Sequence, residues 1–138
     1  MSLSSAERNE LVRLRLENAE KAIEDAKMLF DNSSLRGAMN RTYYSMFYTV
    51  SALAVADGKS FSKHTNLIDY FQEEYAKPEI IDRKYGRALQ KAFEDRSEAD
   101  YQDYLHTTEE QISVRLQEAR EFLSIVRQKL LQRSSRPA

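Results

Sequence analysis

Six apolar residues near the end of the chain, Ile112, Leu116, Ala119, Leu123, Val126 and Leu130, follow one another in unbroken steps of four and three. That spacing keeps all of them on one face of an α-helix, whereas a strand would scatter them over both faces. A helix from about Thr107 to Arg133 is therefore predicted, and Thr107 with Glu110 has the spacing of a capping box at its start. The same rhythm recurs at the front of the chain in Val12, Leu16, Ala19, Ile23, Ala26 and Phe30, which predicts a first helix from about Ser5 to Asp31. Ser4 with Glu7 is again a capping-box pair, and Asp31-Asn32-Ser33-Ser34 is a polar break able to cap the next helix.

Between these two lie three more helical patterns. Met39, Tyr43, Met46, Val50 and Leu53 mark a second helix, and Phe47, Ala54 and Val55 widen its apolar surface beyond one stripe, as a central helix requires. Asp57-Gly58 closes it, because glycine readily takes the left-handed conformation that ends a helix. A shorter third helix from about His64 to Ala76 carries Leu67, Ile68, Phe71 and Tyr75. Pro78 then reads as the first turn of a fourth helix, reaching about Ala99, with Ile81, Tyr85, Ala88, Leu89 and Ala92 facing inward. Gly86 inside that helix costs ~1 kcal/mol relative to alanine, which implies close packing against a neighbour. The final Ser134-Ser135-Arg136-Pro137-Ala138 reads as a frayed end.

Regular steps in the first and last helices would also suit a long coiled coil, but short connections between several such helices favour an antiparallel bundle. With 138 residues, three glycines and two prolines, and no repeat, linker or low-complexity stretch, residues 1–138 are expected to form one all-α domain. The absence of cysteine excludes disulfide scaffolds, thiolate zinc sites and cysteine nucleophiles. A lone Asp103-x-x-His106 falls short of the paired elements that a carboxylate-bridged metal site in a bundle needs, so neither metal nor cofactor is implied. The start of the chain lacks a basic stretch followed by an apolar one, and the uncharged segment Thr42 to Ala56 is shorter than the ~20 residues that span a bilayer. A cytoplasmic protein without a membrane partner is expected. The net charge of −1 means that any site for a polyanion must be local.

Two segments hold more polar and aromatic groups than a simple bundle needs. They are Asn40-Arg41-Thr42-Tyr43-Tyr44-Ser45-Met46-Phe47-Tyr48 and Arg96-Ser97-Glu98-Ala99-Asp100-Tyr101-Gln102-Asp103-Tyr104, each with arginine beside tyrosine. With Lys63-His64, Leu67-Ile68 and Phe71 between them, these segments resemble the HEPN family (higher eukaryotes and prokaryotes nucleotide-binding), in particular its small prokaryotic branch. The resemblance extends from the first helix through the fifth. It implies an up-and-down four-helix bundle with an additional short helix, and a homodimer. Members of the family include RNA-cleaving toxins and partners of small nucleotidyltransferases, as in toxin-antitoxin systems.

In nuclease members of the family an arginine is followed, after four to six residues, by histidine; here Arg96 matches the arginine and Tyr101 stands at the first such position. Metal-independent RNA cleavage needs one group to take the ribose 2′-hydroxyl proton and another to protonate the leaving oxygen. Histidine, with a pKa near 6.5, does either at neutral pH, whereas tyrosine at about 10 stays protonated. Tyr101 would instead donate a hydrogen bond to phosphate or stack on a base, and Arg96 would grip phosphate with two parallel hydrogen bonds. The plain alternative is an Arg96–Asp100 helix pair beside a buried tyrosine. His106 lies outside the family's spacing. His64 belongs to a family-like segment and is the better displaced acid-base candidate, with helix capping or packing as its alternative role.

The resemblance thus implies a ligand site made of Asn40, Arg41, Tyr44, Arg96, Asp100 and Tyr101, which binds nucleotide or RNA, or serves a nucleotidyltransferase partner, without efficient cleavage. An active ribonuclease using Arg96 and His64 is one alternative. A purely structural or protein-interaction module is another. Arg83, Lys84, Arg87 and Lys91 form a basic stripe that would either track an RNA backbone or pair with the neighbouring Glu79, Asp82, Glu94 and Asp95. Tyr43, Phe47 and Val50 suit the core, while Tyr44 and Tyr48, on the adjacent strip, suit a dimer interface.

Overall fold

A computed structural model describes the backbone of residues 3–101 and 108–134 and the side chains of residues 3–96 and 108–133. Its helices are α1 (Ser5–Asp31), α2 (Leu35–Ala56), α3 (His64–Phe71), α4 (Arg83–Tyr101) and α5 (Glu109–Ser134), and a single π-helical turn, Gln72–Ala76, extends α3. The fold is all-α: four long helices in an up-and-down bundle, with α3 as the short addition. Among the described residues no helix is long and apolar enough to cross a membrane.

Local chemistry sets most of the helix ends. Ser4 accepts a hydrogen bond from the Glu7 amide at 3.1 Å while the Glu7 carboxylate accepts from the Ser4 amide at 2.9 Å, completing the expected capping box. At the end of α2, Gly58 adopts φ 73°, and the amides of Gly58 and Lys59 donate to the carbonyls of Val55 and Ala54, the reciprocal pair of a Schellman turn. The break after α1 closes in the same way, with Ser33 at φ 61° and the amides of Ser33 and Ser34 bonded to Phe30 and Leu29. It ends α1 without capping α2, since the Ser34 side chain makes no hydrogen bond to the first turn of α2.

Two expected boundaries move. Pro78 does not open α4: residues 77–82 form a turn in which Glu79 is left-handed at φ 59°, and α4 starts at Arg83. The Asp82 carboxylate, which accepts from the Lys84 amide at 2.9 Å, is the cap that decides this. Ile81 is still buried, but from the turn. At the front of α5 the capping pair is Thr108 with Gln111, one residue beyond the expected pair: the Gln111 amide donates to the Thr108 hydroxyl at 3.1 Å and the Thr108 amide to the Gln111 side chain at 2.9 Å. Thr107 lies outside the described residues.

The core forms around α2, which packs against α1, α3, α4 and α5, as its wide apolar surface requires. Tyr43, Met46, Val50 and Leu53 from α2 meet Phe71 from α3, Leu89 and Ala92 from α4, and Phe122 and Val126 from α5. The rings of Phe71 and Phe122 meet edge to face at 5.1 Å, and burying a side chain of that size contributes on the order of 2–3 kcal/mol. Small residues are buried along both α1 and α2: Ala19, Ala22 and Ala26 on the first, and Ala38, Thr42, Ser45 and Thr49 on the second. The three buried hydroxyls donate to carbonyls of their own helix, at 2.7 Å from Thr42 to Ala38, 2.6 Å from Ser45 to Thr42 and 2.8 Å from Thr49 to Ser45, so small polar residues enter the core without unmet hydrogen bonds. Gly86 meets its expected close neighbour, for a Cβ there would lie 2.3 Å from Oε1 of Gln72 and 3.0 Å from Cβ of Ala76.

Candidate phosphate-binding site

Two turns of α2 present Asn40, Arg41, Tyr43, Tyr44 and Phe47 where the first residue of α3, His64, and the last part of α4, Arg96, converge. Tyr44 is the shared platform. The Arg41 guanidinium sits 4.9 Å from the centre of its ring, and that of Arg96 sits 5.4 Å from the same centre while donating to the Tyr44 hydroxyl at 3.2 Å. Asn40 braces Arg41, accepting from its Nε at 3.2 Å and its Nη2 at 3.1 Å. Arg41 forms no ion pair with any described residue, so its charge is available to an anion.

His64 packs into the other side of the cluster. Its ring lies 4.2 Å from Phe47, 5.8 Å from Tyr43 and 5.8 Å from Tyr44. Partial burial, with the nearby positive charge of Arg96 added, holds the imidazole below its ordinary pKa, so it is neutral at pH 7. Nδ1 lies 2.8 Å from the hydroxyl of Tyr43. Tyr43 is fully buried, and burial pushes its phenol well above the usual range, so the hydroxyl keeps its proton. Nδ1 is its one partner among the described residues. A buried phenol that must place its proton donates it there, which leaves Nδ1 as acceptor and puts the imidazole's own proton on Nε2. Both arginines, the Tyr44 hydroxyl and His64 therefore offer hydrogen-bond donors, a composition suited to an oxyanion such as phosphate.

The structure thus gathers Asn40, Arg41, Tyr44, His64 and Arg96. The side chains of Asp100 and Tyr101 lie outside the described residues, as do Asp103, His106 and the partner that an Arg96–Asp100 pair would need. Sequence reading places Tyr43 in the core, where it is, but misses that its hydroxyl orients His64; no spacing rule links positions 21 residues apart. Half of the basic stripe on α4 is tied up in ion pairs: Arg83 with Glu79 at 3.4 Å and Lys91 with Asp95 at 3.0 Å. Lys84 lies over the Tyr85 ring at 5.1 Å, and Arg87 is exposed.

A second polar cluster, at the far end of α2, has no signature in the sequence. Asp57 Oδ2 accepts from the hydroxyls of Tyr70 at 2.5 Å and Tyr75 at 2.6 Å, and Oδ1 accepts from Arg133 at 2.9 Å. Arg133 also donates to the Tyr75 hydroxyl at 2.5 Å, so the group pins the last turn of α5 to the end of α2.

A sequence model of the HEPN domain matches residues 12–129. The chain belongs to the HEPN family. Among curated relatives, this HEPN chain is 33% identical over 120 residues to a UPF0332 protein of Thermotoga maritima, covering 87% of this chain and 91% of the relative. It is 31% identical over 121 residues to a protein of Methanocaldococcus jannaschii named as a candidate toxin, covering 88% and 90% of the two chains. A second candidate toxin of that organism is 28% identical over 127 residues, covering 92% of the HEPN chain and 86% of the relative.

Proposed function

We propose that this HEPN protein acts in a toxin-antitoxin-like system by binding the phosphate of RNA or of a nucleotide between Arg41, Tyr44, His64 and Arg96, without efficient cleavage. The observation that carries the reading is the hydrogen bond between Tyr43 and His64 Nδ1, which occupies the lone pair of the neutral imidazole and turns its N–H toward a ligand. In this reading the protein works as a homodimer, with Tyr44 and Tyr48 along the strip between copies; serving as the helical partner of a nucleotidyltransferase is the alternative use of the same fold.

The test is fluorescence anisotropy with a labelled single-stranded RNA, read from about 50 mM to about 200 mM salt, where phosphate contacts weaken steeply. Binding that falls with salt, and that Arg41→Ala and Arg96→Ala each weaken with a shallower salt slope, is the expected result. No binding at the lowest salt overturns it.

One observation favours a second reading, in which the protein is a ribonuclease: His64, neutral at pH 7, sits close enough to Arg96 to sense its charge. Metal-independent cleavage of RNA that is abolished by both His64→Ala and Arg96→Ala would establish that activity and reverse the preference.

A further inference from the structure

A cavity of about 400 Å³ opens between the first half of α1, the end of α2 and the α2–α3 connection. Its wall is divided by chemistry. Leu11, Phe47, Val55 and Leu67 make an apolar floor, and Phe61, an exposed large hydrophobic residue, stands at its edge. Arg8 and Arg15 come from α1, seven residues and so about 10 Å apart along one side of the helix, with Leu11 between them.

Both arginines are half-buried, yet neither side chain makes a hydrogen bond or ion pair with any described residue. This is unusual within the chain itself. Arg13, on the same helix, pairs with Glu10 and Glu17, and Arg127 reaches Glu20 at 2.6 Å. Although the sequence holds 22 acidic residues, no Asp or Glu lines this cavity, whereas the larger groove along α4 mixes its cations with Glu73, Glu94 and Glu118. Lys59 adds a third positive group at the rim, already paired with Glu74 at 3.1 Å. The chain passes Arg8 as bare backbone at Gly58, where a Cβ would lie 3.8 Å from Nη2 of Arg8.

A partly desolvated guanidinium without a counter-charge is costly in isolation and is compensated when an anion arrives. The apolar floor favours a ligand body that leaves water at the same time. We propose that this cavity binds an amphipathic organic anion, a carboxylate or phosphate head held by Arg8 and Arg15 on a body that packs against Phe47, Val55 and Leu67. The cavity shares the Phe47 ring with the Arg41–Arg96 cluster but none of its charged groups, and the proposal stands whether or not that cluster binds RNA.

Octanoate and octyl phosphate serve as probes, titrated into the full ¹⁵N-labelled protein with 1-octanol as the neutral control. At the cavity one saturable event is expected, moving the amides of Gly58, Ser60 and Phe61 while that of Gly86 stays in place. Preference for octyl phosphate or for octanoate identifies the head group. Arg8→Gln combined with Arg15→Gln should weaken the anion by about tenfold or more, while Arg120→Gln, exposed on α5 and outside the cavity, leaves it unchanged. The shift map needs no variant and therefore keeps the test valid even if the double substitution perturbs folding. Absence of saturable shifts at these three amides, or octanol moving them as well as the anions do, would overturn the proposal.

Discussion

The hydroxyl of Tyr43 and Nδ1 of His64 lie 2.8 Å apart, and through that bond a fully buried residue of α2 sets the protonation pattern of a half-exposed imidazole at the start of α3. Removing the hydroxyl tests the relation directly. In the native protein, long-range ¹H–¹⁵N correlation should show the imidazole proton on Nε2. In Tyr43→Phe the proton should redistribute between the two nitrogens, with a stability loss of roughly 1 kcal/mol in urea unfolding.

The same imidazole predicts a pH dependence. Its folded pKa lies below the ordinary 6.5, chiefly through burial and secondly through Arg96, so between the two values the unfolded chain binds more protons than the folded one. His64 therefore contributes stability that is complete above about 6.5 and is lost as pH falls through its folded value. An NMR titration of the ring protons should find the depressed value, and Arg96→Ala should move it upward without restoring it fully, because burial remains. Asp57, also held below its ordinary 3.8, adds a separate loss at more acid pH.

The Asp57 cluster should matter more to stability than its position near the surface suggests. In Asp57→Ala the hydroxyls of the buried Tyr70 and Tyr75 lose their acceptor, at an expected cost of about 1–3 kcal/mol. Arg133→Ala removes an exposed partner of the same carboxylate and should cost about 1 kcal/mol or less. Urea midpoints of the two variants, measured side by side, check the order.

Gly86→Ala would raise helix propensity by about 1 kcal/mol, yet it should destabilise the protein. The new Cβ would collide with Oε1 of Gln72 and crowd Cβ of Ala76, and moving Gln72 aside breaks the 2.8 Å bond from its Nε2 to the Gly86 carbonyl. In a Gln72→Ala background the penalty should shrink, since the flexible obstacle is gone and only Ala76 remains. A thermal-melt double-mutant cycle measures that coupling.

The family resemblance in the sequence anticipates Arg41, Tyr44 and Arg96 as one site, and the structure does bring them together. Their mutual geometry lies beyond its reach. His64 is singled out by its neighbours in sequence, but its approach to Arg96 depends on how α3 leans against α2 and α4. The Asp57 cluster is invisible for the same reason: Asp57 looks like a helix terminator, and its partner Arg133 is 76 residues away. Pro78 misleads because a proline suits the first turn of a helix, while the actual start is decided by the Asp82 cap after a left-handed Glu79.

The sequence by itself determined most of what is set within about one or two helical turns: the apolar stripes, the Ser4–Glu7 capping box, the glycine that ends α2, and so the number and order of the helices, though not the Asp82 cap that opens α4. The tertiary structure alone decided which helix faces meet, and with them the Tyr43–His64 bond, the stacking of Arg41 and Arg96 on Tyr44, and the carboxylate-free cavity holding Arg8 and Arg15. Hydrogen bonds and ring contacts act over a few ångströms, so residues far apart in the chain acquire them only once the bundle has packed its core.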